Sequence, residues 1–199
     1  MKKFKINSLK PIVNMSLVLL LMTAACGQSG NKGKTDVASN AETEAVVDAP
    51  KMDIQAAILS NNIEVVRQHI KAGSDINKKD PMSGSTPLIT AASFGKIKIA
   101  KALIDAGADL TLKNNDGATA LHSAAFFCRV EIVQLLIDAK ADKSVRNNFG
   151  ATARESVMGP YVAVKPIYEM LQQQLAPLGM QLDLNEIEKT RPVIAMMLQ

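Results

Sequence analysis

Tryptophan is absent from this chain of 199 residues, and tyrosine, histidine and cysteine occur only twice each. Two histidines and two cysteines are too few for a zinc-type ligand cluster or a nucleophilic triad. A glycine-rich phosphate loop and a nucleophile elbow are missing as well. The chain therefore reads as a non-enzyme, with no catalytic residue, metal, cofactor or small-molecule substrate. A core this poor in aromatics must be filled by Ala, Leu, Ile and Val, which suits slim helices packed at short separation. Long apolar runs are also lacking. The longest, Ile12 to Ala25, covers 14 residues and contains Asn14 and Ser16, short of the ~20 a membrane-crossing helix needs.

A basic stripe is the next absence. The formal net charge of +4 comes from Lys2, Lys3, Lys5 and Lys10; from residue 26 onward 19 Lys and Arg balance 19 Asp and Glu. With no positive track and no interleaved aromatics, nucleic acid is excluded as a partner.

Those four lysines precede the short apolar run, which ends in small residues, the pattern of a secretory signal over residues 1–25. The stretch Leu21-Met22-Thr23-Ala24-Ala25-Cys26 resembles the lipobox of bacterial lipoproteins. The resemblance implies cleavage before Cys26 and acylation of its thiol and new amino terminus. Thr23 departs from the leucine more usual in that family. Two or three acyl chains anchor stably where one does not. Gly27 is not the aspartate that retains enteric lipoproteins at the inner membrane, so a two-membrane cell would carry the protein on the periplasmic face of its outer membrane.

Residues 27–50 lack apolar periodicity and are rich in Gly, Ser, Thr, Ala and charge. Such a composition cannot offset its ordering entropy. As a flexible tether it spans ~25–30 Å root-mean-square. Only Cys128 remains as a thiol in the rest of the chain, so no internal disulfide is available.

From residue 51 a phrase recurs. Ser85-Thr86-Pro87-Leu88, Ala91-Ala92, Ile99-Ala100, Leu103-Ile104 and Gly107-Ala108-Asp109 return as Ala118-Thr119-Ala120-Leu121-His122, Ala124-Ala125, Ile132-Val133, Leu136-Ile137 and Ala141-Asp142. Thr86, Thr119 and Thr152 are each 33 residues apart. A unit of that length cannot bury its own apolar face, so copies must stack. Thr86 caps a short helix with Pro87 at its first position, and Gly107 ends a second, longer helix. The polar run Lys113 to Gly117 forms a hairpin-like turn. A worn first copy keeps register through Ile63-Glu64-Val65-Val66 and Ala72-Gly73-Ser74-Asp75, with an offset of 34 absorbed in the turn Asp80 to Gly84. The fourth copy opens at Gly150-Ala151-Thr152-Ala153 and then departs.

This unit resembles the ankyrin repeat. The resemblance implies an all-α solenoid of about three to four helix–turn–helix repeats over residues 51–157. Residues 158–199 are expected to form a helical C-terminal cap, with helices over Tyr161–Leu175 and Leu184–Leu198, the second interrupted by Pro192. It also implies a protein partner bound along hairpin tips and the exposed face of each first helix. Residue by residue this surface is Lys79, Asp80, Met82, Ser93 and Phe94, then Lys113, Asn115, Asp116, Phe126 and Phe127, then Arg146, Asn148 and Phe149. Aromatics near an arginine are favoured anchors, although Phe126 and Phe127 can equally turn inward beside Ala124 and Ala125. His69 aligns with Leu103 and Leu136 and is expected in the core; His122 stands where ankyrin repeats carry a histidine bonded to a neighbouring turn. Cys128 falls on the turn position of Gly95, where a positive φ stores ~1 kcal/mol; an exposed, activated thiol there would be a redox sensor. Three roles stay open: envelope scaffold, immunity protein against a toxin or enzyme, and oxidative-stress factor.

Overall fold

The structure, a computed structural model, describes residues 48–199; the signal segment, Cys26 and most of the tether lie outside it. Among the described residues there are helices and turns and no strands. Three helix pairs come first: α1 (Ile54–Leu59) with α2 (Ile63–Lys71), α3 (Pro87–Ser93) with α4 (Ile97–Asp105), and α5 (Ala120–Phe126) with α6 (Val130–Asp138). A short α7 (Glu155–Met158) follows, then α8 (Tyr161–Leu175), a 3-10 turn (Ala176–Leu178) and α9 (Leu184–Met197). None of these helices is long and apolar enough to cross a membrane.

Each pair is made by local signals. Thr86 is extended, its hydroxyl accepts from the Ile89 amide at 3.3 Å, and Pro87 follows at the first helical position. In α3 Leu88, Ala91 and Ala92 are buried; in α4 Ile99, Ala100 and Leu103 are. The Gly-Ala-Asp phrase has a mechanism too. Asp109 Oδ1 accepts from the amide and hydroxyl of Thr111 at 2.8 and 2.7 Å, and Asp142 does the same with Ser144. Those bonds hold both carboxyls below the usual range and turn the chain out of the second helix.

Stacking is regular. First helices form one row, α1–α3–α5–α7, and second helices another, α2–α4–α6–α9. The terminal segment closes the end of the stack as a helical cap, and it does so from within the repeat pattern. It supplies α9 as the second helix of a fourth repeat, burying Ile187, Thr190, Arg191 and Ile194. In the third repeat the second helix starts 11 residues after the threonine, at Val130; in the fourth it starts 32 after, at Leu184. The 21 extra residues carry α8 and the 3-10 turn as an insert within the repeat.

Pro192 does not interrupt α9, which runs unbroken, and α8 likewise contains Pro166. Both prolines, and the residues four before them (Val162 and Glu188), are exposed. The carbonyl that loses its amide donor thus lies on the wet side, where water replaces the bond.

Non-glycine residues with positive φ mark repeat-equivalent turns. Asn61 (57°) and Cys128 (53°) match Gly95, and Lys140 (65°) matches Gly73 and Gly107. Lys140 is exposed, so glycine there would relieve the left-handed strain at little packing cost. We expect Lys140→Gly to stabilise the fold by up to ~1 kcal/mol, read as a melting-temperature rise of about 2–4 °C.

Candidate functional site

Hairpin tips are built by one device used three times. At the base of each tip a short polar side chain accepts backbone amides across the turn. Asp80 Oδ1 takes Met82 and Ser83 (3.1 and 2.7 Å), Asn114 takes Asp116 and Ala118 (3.0 and 2.9 Å), and Asn147 takes Phe149 and Ala151 (3.0 and 3.1 Å). Bonding to Ser83 holds the Asp80 carboxyl below its ordinary value. The first tip is one residue longer: Gly84 donates back to Asp80, four residues away, whereas Gly117 and Gly150 donate back only three. The offset of 34 is absorbed there.

Neighbouring tips are laced together. Asn115 donates its side-chain amide to the Met82 carbonyl at 2.8 Å, and Asn148 repeats the bond to Asn115 at 2.9 Å. Lys79 reaches the Lys113 carbonyl at 2.6 Å, and Lys113 reaches that of Arg146 at 3.0 Å. Arg146 closes the line on Glu155 at 2.6 Å. Gly84 and Gly117 permit this lacing, because a Cβ at either would collide with the side chain of Asn115 or Asn148. Lys79, Asp80, Lys113, Asn115, Arg146 and Asn148 thus brace the row, and three side chains on it project without an intramolecular bond among the described residues. These are Met82, Asp116 and Phe149; Met82 is 88% and Phe149 80% exposed.

The expected first-helix portion of the surface differs. Ser93 bonds back to the Ile89 carbonyl at 2.9 Å, and Phe94, Phe126 and Phe127 are half-buried under the insert rather than open to a partner. Tyr161, Val164, Tyr168, Leu171 and Leu175 of α8 join Met180, Leu182 and Ile187 on these phenylalanines. Phe126 stacks on Tyr168 at 4.8 Å and meets Phe127 edge-on at 5.1 Å. Burying aromatic area against an inserted helix is worth more to this chain than leaving it wet. Beyond α8, Gly179 lies beside Leu59 of the first repeat, and Gln181 accepts from Arg129 Nη2 at 3.3 Å. The insert therefore runs along the helix–helix turns of the first three repeats.

Its docking rests on polar bonds the sequence did not reveal. The Tyr168 hydroxyl, fully buried, donates to the Phe126 carbonyl at 2.6 Å and accepts from Arg191 Nη1 at 3.0 Å. Burial pushes its pKa up to about 12. A readable signal existed: Arg191 interrupts the stripe Ile187–Ile194–Leu198, and positions 161, 164, 168, 171 and 175 share one helical face. Cys128 sits beneath the same insert, its thiol 3.7 Å from the Ile187 carbonyl and pushed up to about 11 by burial. The half-buried thiol is held in its neutral form, which disfavours its use as a redox sensor.

His69 is 8% exposed, between Ser74 Oγ at 3.0 Å and the Met52 carbonyl at 2.8 Å. His122 Nε2 faces the Ala151 carbonyl at 3.1 Å, and Nδ1 accepts from the Thr119 amide and hydroxyl at 3.3 and 2.9 Å. A carbonyl can only accept, so the neutral ring carries its proton on Nε2. Among the described residues no cluster of His, Cys, Asp and Glu could hold a metal ion.

Two outcomes follow. Tyr168→Phe strips partners from a buried arginine and a buried carbonyl, and should cost about 2–3 kcal/mol while accelerating alkylation of Cys128. Burial lowers the His122 pKa from 6.5 and outweighs the opposing pull of its Ala151 bond, and the charge of Lys113 adds a lesser lowering. The unfolded chain therefore binds the proton more tightly, and stability complete above pH 6.5 declines as pH falls through and below that value. Thermal melts of His122→Gln should show a shallower slope between pH 6.5 and about pH 5.

Known proteins share this architecture. A family model described as ankyrin repeats, three copies, matches residues 54–147. Protein phosphatase 1 regulatory subunit 27 of Homo sapiens is 44% identical over 64 residues, 32% of this chain and 41% of that one; the Mus musculus protein matches equally. An ankyrin repeat and KH domain-containing protein of Caenorhabditis briggsae is 41% identical over 54 residues, 27% of this chain and 2% of its own length. The chain thus spans less than half the length of these relatives. The crystal structure of the ankyrin repeat domain of Bcl-3, a member of the IkappaB protein family, superposes with a TM-score of 0.50 at 28% identity. That match covers 52% of this chain and 45% of that one. Three ankyrin repeats occupy residues 54–147, and the chain folds as an ankyrin-repeat solenoid.

Proposed function

We propose that this protein is a lipid-anchored interaction module of the bacterial cell envelope, which grips a partner protein with its row of hairpin tips. The observation that carries the reading is the tip row itself. Ankyrin repeats mediate protein–protein interaction, and here six side chains are spent on bracing the tips while Met82, Asp116 and Phe149 are left free. A rigid backbone bearing two exposed apolar side chains has little ordering entropy left to lose on binding. The lipobox-like stretch ending at Cys26 supplies the anchor, and the tether keeps the repeats near the membrane without fixing their orientation. The periplasmic face of an outer membrane is the proposed address in a two-membrane cell.

A role as oxidative-stress factor through Cys128 lacks chemical support, because a thiol shifted to about 11 carries almost no thiolate at neutral pH. One relative is named as a regulatory subunit of protein phosphatase 1, a role in keeping with binding rather than catalysis. Non-catalytic binding is accordingly the mode we assign.

The test uses whole cells. A photo-crosslinking residue placed at Phe149 or at Met82 should trap the same envelope protein, and Cys26→Ser should abolish palmitate labelling and membrane retention. Met82→Ala with Phe149→Ala should weaken that complex at least tenfold and shift the melting temperature by no more than about 1–2 °C. Different crosslinked proteins at the two positions, or parallel losses of binding and stability, would refute the tip row as the contact.

A further inference from the structure

A solenoid ends on repeats whose outer face is polar, because no further repeat covers that face. The first repeat obeys this rule. Glu64, Gln68 and Lys71, which align with Lys98, Ala102 and Asp105 of α4, form the outward flank of α2, and all three are exposed. The last repeat departs from it. In α9 the buried set Thr190, Arg191 and Ile194 repeats Ile99, Ala100 and Leu103 of α4. Pro192 and Ala195 therefore stand where α4 has Lys101 and Ile104 and α2 has Arg67 and Ile70. Arg67 and Ile70 look across a groove to Lys98, Ala102 and Asp105 of the following repeat. By the same register Pro192 and Ala195 look out on the side where a fifth repeat would stack.

That side is apolar at its centre. Pro192, Ala195 and Met196 line a groove of about 420 Å³ with Met158 of α7, and Met196 and Met158 are 61% and 54% exposed. Methionine is well able to reshape itself against an incoming surface. Two charges of opposite sign flank this centre. Arg154 rests its Nε on the Ala195 carbonyl at 3.0 Å. Glu188 is exposed and lies seven residues before Ala195, about 10 Å back along the helix axis. Among the described residues neither charge forms an ion pair. Arg191 also borders the groove but is turned inward, onto the Tyr168 hydroxyl and the Gly159 carbonyl.

We propose that this end face is covered by the same face of a second copy of the chain. The opposite end of the stack does not fit it. Head-to-tail stacking would press Met158 and Met196 onto Glu64, Gln68 and Lys71, and it would continue without closing. A two-fold axis near Pro192 instead sets the two α9 helices antiparallel. Arg154 of each copy then meets Glu188 of the other, and the methionines are covered from both sides. A charge of each sign on either flank of an apolar centre is what a self-complementary face requires. The described chain begins at the first repeat, the far end of the stack, so its entry leaves this face clear.

Sedimentation equilibrium of the purified full chain, in detergent matched to the solvent density, reads the pairing directly. A dimer should form at ~10 µM. Met196→Glu should weaken it at least about tenfold. Its melting temperature, taken at a dilution where both proteins are monomeric, should stay unchanged, since that side chain is 61% exposed. Arg154→Glu and Glu188→Arg each place like charges opposite one another at both contacts of a symmetric pair. Each alone should associate at least about tenfold more weakly. An equal mixture of the two restores opposite charges at both contacts and should recover the association of the unaltered chain. Should the loss of its Ala195 bond unfold Arg154→Glu, the exposed Glu188→Arg still decides by its own weakening. A monomer at every concentration up to ~100 µM, a dimer indifferent to Met196→Glu or Glu188→Arg, or a mixture of folded variants no tighter than its parts would overturn the proposal.

Discussion

Ala91, Ala92, Ala124 and Ala125 are wholly buried, and their size sets how close neighbouring first helices come. The rest follows from that spacing. With a methyl at each contact the helices approach closely enough for Leu88 and Leu121 to interlock with Ile99, Leu103, Ile132 and Leu136 from the second row. The same spacing brings each hairpin within one asparagine or lysine of the next, so the tips can be laced by side chain to carbonyl. Larger residues at the alanine pairs would open the core and cut the lacing together, because one distance serves both.

The regular part of this fold was legible because one solution is written three times. Thr86 with Pro87, the alanine pairs, Gly107 and Asp109 each name a local geometry, and the 33-residue period says those geometries must coincide. The fourth repeat was harder to see for a physical reason. Repeat detection depends on fixed spacing, and 21 residues inserted between α7 and α9 remove it while leaving the packing rule intact. α9 still presents Ile194 to the stack, with Leu198 at its cap and Ile187 under the insert, but at a place in the chain where no period points. Pro192 added to the disguise, since a proline reads as a break unless its exposed side is known.

The candidate surface divides along the same line. Tip residues were found because they follow the repeat, whereas the fate of Phe94, Phe126 and Phe127 depended on a segment outside it. Local sequence places those rings at the ends of first helices and cannot say whether solvent or another helix meets them. Tyr168 decides the matter with its ring on Phe126 and its hydroxyl on the Phe126 carbonyl. Of the aromatic candidates, only Phe149 is left to an outside partner, and the molecule has one edge closed by its own chain and the opposite edge open.

Cys128 shows why that closed edge is specific. Its repeat equivalents are Asn61 and Gly95, residues that tolerate a left-handed backbone, and a cysteine there pays for its Cβ. What it gains is a sulfur that packs with the insert and faces the Ile187 carbonyl at the start of α9. Next to it Arg129 spans from the Ser93 carbonyl to that of Gln181, joining two repeats to the insert. Glycine at position 128 would suit the turn better and hold the insert less well. The strain is local, the contacts it enables are long-range, and the turn that looks least favourable in isolation is the one on which the insert lands.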